Sequence, residues 1–357
     1  MRYMLNRLVA RFADTRYTLM AILVLFFMAM GSLIGSSEEI IPFVPIIVSL
    51  SLSLGWDIET GLAMSILAGC CGFATGIANP FTIGVAQTLA GLPMFSGIWL
   101  RILSFVLIYL LLMAYLRIHV RKMPLPEDTS RIATSEKDPQ MNKALIAFGS
   151  LIGLGILIVL CSGFLPFLRD FTMFIVAVMF LVAGLVAVRL AGMRGKVLRK
   201  SFVSGMIAIA PVILMILMAS SIRYIMTKGK ILDTVIYYAV GFGANMSKAE
   251  LILFIYLIVL VMNFFIPSGS AKAFLLILLI VPLAQMFGIS AQLAIVAYAF
   301  GDGFSNNYYP TNAGLLISLG LAGTSYGKWF KFSTLFMILI LLLTSGLLLF
   351  GLAVGYA

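Results

Sequence analysis

Gly35-Ser36-Ser37-Glu38-Glu39 breaks an apolar run near one end of the chain, and Pro267-Ser268-Gly269-Ser270 breaks another about 230 residues later. The spacing that follows is the same in both places. From Ser37 to Gly55 to Asn79 the steps are 18 and 24 residues, and from Ser270 to Gly288 to Asn312 they are 18 and 24 again. Each copy closes on Leu-Ala-Gly, at Leu89 to Gly91 and at Leu321 to Gly323. Interrupted apolar segments at corresponding positions of two halves point to a secondary transporter with its site where the halves meet.

The sequence around these interruptions is built for lipid. It is 62% hydrophobic and 10% charged, with a mean hydropathy of +1.13, and carries many apolar runs of about 20 residues, enough to cross a bilayer. The reading is an all-α multispanning membrane protein whose surroundings are the lipid bilayer. The net charge of +11 is concentrated at the ends of apolar runs, where it orients the chain, and no nucleic-acid partner is expected. Cys70 and Cys71 are adjacent and Cys161 stands alone, without metal-ligand spacing, so all three read as buried thiols. Arg2, Arg7, Arg11 and Arg16 precede the apolar run 17–34, which has no small-residue cleavage site, so no removable signal peptide is read.

The map divides as follows. Residues 1–118 form a first repeat, with a re-entrant helical hairpin at 17–54, a broken helix at 58–90 and a span at 96–118. The run 17–34 is also long enough, at the lower limit, to cross outright. The break in 58–90 is expected around Gly72 to Pro80, because Gly76 permits unusual backbone while Pro80 removes a donor and pushes Asn79 out of helical angles. Residues 119–142 form a hydrophilic cytoplasmic linker, and 143–222 supply three scaffold spans at about 143–163, 170–191 and 202–222. Residues 223–357 form the second repeat, opening with a moderately polar interfacial stretch at 223–248. A hairpin at 249–287, a broken helix at 290–322 and a span at 332–354 complete it.

Five crossings between the hairpins make the repeats inverted. Charge is consistent with that, since one side collects 17 of the 24 Lys and Arg, the other collects 6, and Lys272 stays inside the membrane. The rich side is cytoplasmic by the positive-inside rule, with the N-terminus there and the C-terminus outside. The second hairpin is preceded by three spans but the first only by a basic leader. Either the first half never had them or the chain is N-terminally short, and we favour the second.

Non-helical backbone survives at membrane depth only where protein or a watery cavity surrounds it. Four breaks meeting near the midplane present positive helix N-termini, which suit anions, and carbonyl ends, which suit cations. The candidate substrate-binding residues are therefore Ser36, Ser37, Glu38, Glu39, Asn79, Pro80, Ser268, Gly269, Ser270, Lys272, Ser305, Asn306, Pro310, Thr311 and Asn312. The competing reading is close helix packing by small residues, as at Gly149-xxx-Gly153 and Gly351-xxx-Gly355. Glu38, Glu39, Lys272 and Asp302 lie within apolar sequence, where each exposed charge costs roughly 2.5 to 3.5 kcal/mol, so they face protein or water. Glu38 or Glu39 and Asp302 are candidates for coupling to Na+ or H+, and Lys272 for a substrate carboxylate; mutual ion pairing is the alternative and is compatible with both. His119 reads as interfacial, with no partner in its neighbourhood of sequence.

Phe264 to Ala273, Phe300-Gly301-Asp302-Gly303-Phe304-Ser305 with Tyr309-Pro310-Thr311, and Ala78-Asn79-Pro80-Phe81 with Val85-Ala86-Gln87 resemble the YfcC-like carriers. These belong to the C4-dicarboxylate uptake C (DcuC) family of the ion transporter superfamily. The resemblance covers nearly the whole chain and includes the Gly35 to Glu39 tip. It implies a bacterial inner-membrane secondary carrier with elevator-like alternating access, for a dicarboxylate or in basic amino acid antiport, in which a homodimer is common. Relatives usually begin about 100 residues earlier. Ala271 stands where a second glycine is common and Asn312 where serine is common.

The function expected is secondary active transport of a small charged organic solute, driven by an ion gradient or by exchange. No Walker motif supports ATP drive, and no cofactor is expected. An intramembrane hydrolase using Ser268 or Ser270 lacks a nearby base, since His119 is distant, so the chain is read as no enzyme. A truncated fragment, or a half that needs a partner chain, is the other reading of the missing scaffold.

Overall fold

The computed structural model describes residues 15–35, 38–121, 172–192 and 246–357, with residue 123 and short runs or single positions elsewhere between 140 and 241. Among these residues the chain is helical, and six helices are long and apolar enough to cross a membrane. In chain order they and their shorter companions are α1 (Arg16–Ile34), a 3-10 turn (Glu38–Phe43), α2 (Val44–Ser53) and α3 (Ile58–Thr75). A π turn (Pro80–Gly84) leads into α4 (Val85–Leu89), followed by α5 (Ile98–Val120) and α6 (Thr172–Leu190). Then come α7 (Lys248–Phe265), α8 (Gly269–Met286), α9 (Ala291–Gly303) with a 3-10 turn (Phe304–Asn307), α10 (Ala313–Ala322) and α11 (Tyr326–Ala353).

Both halves thus run through two helices, an interrupted helix and a long helix in the same order. The capping chemistry recurs at the matching positions. Asp57 accepts from Thr60 N–H at 2.8 Å and Ser290 from Leu293 N–H at 3.1 Å, starting α3 and α9. The long helix α11 begins at Tyr326, ahead of the expected residue 332, because Ser325 caps it by accepting from Lys328 N–H at 3.4 Å. Lys328 and Lys331 lie in its first turns and are exposed. Of the three scaffold spans expected between the halves, the second is α6; the first and third, the linker and the 223–248 stretch lie largely outside the described residues.

Packing follows from glycine. A side-chain carbon added at Gly31 would lie 1.9 Å from the Gly69 carbonyl oxygen, and one at Gly72 1.9 Å from the Met28 carbonyl oxygen, so α1 and α3 touch backbone to backbone. In the second half a carbon at Gly301 would fall 2.6 Å from Val259 Cβ, where α9 meets α7. Without a hydrophobic gain between helices in lipid, such close van der Waals approach is what holds them together. The second arms touch both halves: α8 packs on α9 and also on α4 and its π turn, while α2 packs on α3 and, with the preceding 3-10 turn, also on α10.

The two interrupted helices also meet each other. A carbon at Gly303 would sit 2.4 Å from Ala74 Cα, immediately ahead of both breaks. A second tie joins them at the π-helical segment Ala63–Leu67 of α3, where Asn307 Nδ2 donates to the Ile66 carbonyl at 3.0 Å. Around this centre, Ile22, Leu25 and Phe26 of α1, Ile102, Val106 and Leu110 of α5, and Leu335, Ile338 and Leu342 of α11 are exposed. Apolar side chains turned outward on long helices are what a lipid-facing surface requires.

Asp57, at the start of α3, meets His119 Nε2 of α5 at 2.8 Å, which supplies the partner that His119 lacks in local sequence. Burial pushes the Asp57 carboxyl up, but hydrogen bonds from His119 and Thr60 outweigh it and hold the group below its ordinary value of 3.8. The folded protein therefore binds this proton less tightly than the unfolded chain does. The stabilisation is fully present above pH 3.8 and disappears as pH falls through the depressed folded value. Asp57→Asn should flatten the acid limb of a stability profile below about pH 4; an unchanged limb would show that the carboxylate carries no such linkage.

Candidate functional site

The first break begins where α3 ends at Gly76, whose φ of 52° is open to glycine and strained for other residues. Arg101 Nη1 donates to the Gly76 carbonyl at 3.3 Å, and its Nη2 to the Phe95 and Ser96 carbonyls at 3.1 and 2.5 Å. Chain resumes at Asn79, whose side-chain oxygen accepts from Thr82 N–H at 3.2 Å. The first hairpin tip closes on this loop. Ser32 Oγ lies 2.9 Å from Thr75 Oγ1 and accepts from Ile77 N–H at 3.1 Å, and the Ser32 carbonyl accepts from Ala78 N–H at 3.1 Å. A carbon at Gly35 would collide with Asn79 Oδ1 at 1.8 Å, so the tip rests directly on the cap.

The second break is built in the same way. Asn312 Oδ1 accepts from Leu315 N–H at 3.0 Å and starts α10, while Asn312 Nδ2 donates to Asn306 Oδ1 at 3.1 Å. Asn79 and Asn312, at matching positions of the two halves, thus both cap the resumed helix. Thr311 Oγ1 and Thr82 Oγ1 are buried and, among the described residues, have no hydrogen-bond partner.

The second hairpin tip is wedged between the two interrupted helices. A carbon at Gly269 would lie 2.6 Å from both Asp302 Oδ2 of α9 and Thr82 Cγ2 of the first half. Tyr298 OH donates to the Gly269 carbonyl and ties the tip to α9. One turn along, Lys272 is fully buried with its Nζ 2.6 Å from Asp302 Oδ1, itself fully buried. The same Nζ donates to the Ile266 carbonyl at 3.1 Å and to Asn263 Oδ1. Asn263 Nδ2 in turn donates to the Asp302 carbonyl (3.1 Å), Ser305 Oγ (2.7 Å) and Asn306 Oδ1 (2.9 Å).

Of the candidate residues, Lys272, Asp302, Ser305, Asn306 and Asn312 form one connected polar cluster, with Gly269 at its edge. Asn79 is joined to it through Thr82. Lys272 and Asp302 face each other, the ion-pair alternative, and Lys272 Nζ is directed at Asp302, Asn263 and Ile266. Ser268, Ser270, Pro80, Pro310 and Thr311 are half-buried around the cluster. Ser36 and Ser37, and the side chains of Glu38 and Glu39, lie outside the described residues.

Three residue sets escape the sequence reading. Asn263 is the hub of the second tip, and an amide within Val261-Met262-Asn263-Phe264-Phe265 is the signal that marks it. Arg101 is buried and closes the first break. Gln87 and Gln292 meet at 3.0 Å, and Gln292 Nε2 donates to Ser96 Oγ at 2.5 Å, joining the end of one interrupted helix to the start of the other.

Residues 1–353 match the family model described as DcuC, C4-dicarboxylate anaerobic carrier. The chain is 30% identical over 354 residues to the Escherichia coli protein named "Putative basic amino acid antiporter YfcC", an alignment covering 91% of this chain and 68% of that one. It is 27% identical to an uncharacterized protein of Haemophilus influenzae, over 89% of this chain and 64% of the other, so it spans about two thirds of the length of these relatives. The crystal structure of the Alcanivorax borkumensis YdaH transporter shares the fold, with a TM-score of 0.56 at 19% identity over 99% of this chain and 82% of that one.

Proposed function

Because this chain belongs to the DcuC family of C4-dicarboxylate anaerobic carriers, we propose that it is a secondary active transporter of a small, carboxylate-bearing organic solute. The observation that carries the proposal is the pair of resumed helices capped by Asn79 and Asn312, with a hairpin tip resting on Asn79 and the other tip wedged at Thr82 and Asp302. Helix N-termini favour carboxylates, and the unpartnered hydroxyls of Thr82 and Thr311 offer donors beside them. The family description favours a C4-dicarboxylate; the similarity to the Escherichia coli antiporter favours a basic amino acid, which also carries a carboxylate.

The matching caps and crossed packing support inverted repeats and an elevator-like movement of the hairpins with the interrupted helices. The charge bias supports a bacterial inner-membrane orientation with the N-terminus cytoplasmic and the C-terminus outside. Ser36, Ser37, Glu38 and Glu39 remain our candidates at the first tip, the two glutamates for coupling to an ion gradient, and a homodimer fits the family pattern.

Uptake into proteoliposomes tests the reading, using labelled succinate in one arm and labelled lysine in the other. Saturable uptake or counterflow of at least one is expected; its absence for both would overturn the proposal. Asn79→Ala and Asn312→Ala should each remove a cap worth about 1 kcal/mol and slow uptake several-fold. Full-rate uptake by both variants would show that the resumed helices do not hold the solute.

A further inference from the structure

Lys272 occupies a seat made only of oxygen atoms. Its Nζ faces a carboxylate oxygen of Asp302, the amide oxygen of Asn263 and the backbone carbonyl of Ile266. Each oxygen is held independently of the lysine. Turning the Asn263 amide around would set its oxygen against the Asp302 carbonyl and Asn306 Oδ1, so Oδ1 is committed to the seat. Ile266 follows the last residue of α7, with its own N–H bonded back to the Met262 carbonyl, and its carbonyl therefore sits at the negative end of that helix. Asp302 is on α9, fixed by the crossing at Gly301 and Gly303.

The carboxylate is unusual in what it lacks. Its Oδ1 meets the Lys272 ammonium at 2.6 Å, and among the described residues the carboxylate has no further donor, although both oxygens are fully buried. A buried carboxylate is ordinarily satisfied by directed N–H or O–H donors. Here it is satisfied by the proximity of a positive charge, which is how a carboxylate serves a hard cation. A carboxylate, an amide oxygen and a main-chain carbonyl are also the hard donor set that alkali and alkaline-earth cations take.

We propose that the Lys272 ammonium is a tethered stand-in for a bound monovalent cation, occupying a cation seat that locks the second hairpin tip to the second interrupted helix. The charge that a free ion would bring to this seat is carried by the chain itself. It follows that the protein needs no Na+ at this position, and that removing the ammonium converts the seat into an alkali-ion site. The proposal deepens the carrier reading, on which its meaning for coupling rests, but its test does not need transport.

The experiment is thermal unfolding of the full chain in detergent, in NaCl, KCl or choline chloride at equal ionic strength. Any alkali-ion gain of the unaltered protein, from a coupling site elsewhere, sets the baseline, and the seat is read as the extra gain of a Lys272 variant above it. Lys272→Ala should melt lower in choline chloride and regain a few degrees, saturably, in NaCl or KCl at about a hundred times the dissociation constant. Adding Asp302→Asn to Lys272→Ala should abolish the alkali-specific gain. Lys272→Ser, prepared in NaCl throughout, serves if the alanine variant does not fold.

A Na+ gain of the unaltered protein that Asp302→Asn alone removes would overturn the proposal, because Na+ would then share the seat with the ammonium. So would a folded Lys272 variant with no gain above the baseline, the behaviour of a purely structural ion pair. Failure of both Lys272 variants to fold in NaCl would overturn it too, because the seat then cannot accept the ion. An alkali response in a protein that takes up neither succinate nor lysine would instead leave this inference standing and remove the carrier reading.

Discussion

Asp302→Asn is expected to lower stability by about 3–5 kcal/mol, because it strands the fully buried Lys272 ammonium without its counter-charge. Asn263 and Ile266 would still accept from Nζ, but two neutral oxygens do not replace a carboxylate against the cost of desolvating a charge. Uptake should be lost with it, since the pair joins α8 to α9 at the wedged tip. Removing both charges together, as Lys272→Met with Asp302→Leu, should recover most of the stability but not the uptake, because apolar replacements of similar size avoid the desolvation cost. Denaturant or thermal unfolding in detergent of the unaltered protein, Lys272→Met, Asp302→Leu and the double variant gives the coupling directly. A loss below about 1 kcal/mol for Asp302→Asn would mean that water reaches the pair.

Gly303→Ala is expected to force apart the crossing of the two interrupted helices. The added carbon would lie 2.4 Å from Ala74 Cα and 2.7 Å from Ala74 N, backbone atoms that cannot rotate away. Two helices must separate or bend, at a cost of about 1–3 kcal/mol or more, and both breaks move with them. Gly346→Ala is the control: that glycine is exposed on α11 with nothing within 4 Å of the added carbon, so its melting temperature should hold or rise slightly. Equal behaviour of the two variants would show that the crossing is looser than the geometry demands.

Local punctuation made the breaks readable. Gly76 and Pro80 bracket the first, and the Asn-capped restarts at Asn79 and Asn312 follow from residues that favour non-helical angles. Ser325 is readable in principle as a helix start, but the span expected from hydropathy begins only at residue 332, beyond Lys328 and Lys331. The site was legible only in part. Lys272 and Asp302 are thirty positions apart by number, and nothing in either segment says which way each side chain turns, so their pairing is legible only as an alternative to solute and ion binding. Asn263, Arg101, Gln87 and Gln292 were passed over for the same reason. Each finds at least one partner on another element, and hydropathy averages a lone polar residue into its apolar neighbours.

The contact of Gly303 with Ala74, reinforced by the Asn307 amide on the Ile66 carbonyl, leaves the interrupted helices no room to slide or pivot against one another. They pack as one unit. In the elevator movement proposed above, deformation would fall at its corners, where Gly55, Gly91, Gly288 and Gly323 all hold positive φ between 68° and 79°. Those four hinges, two per half, would set how far the unit can swing.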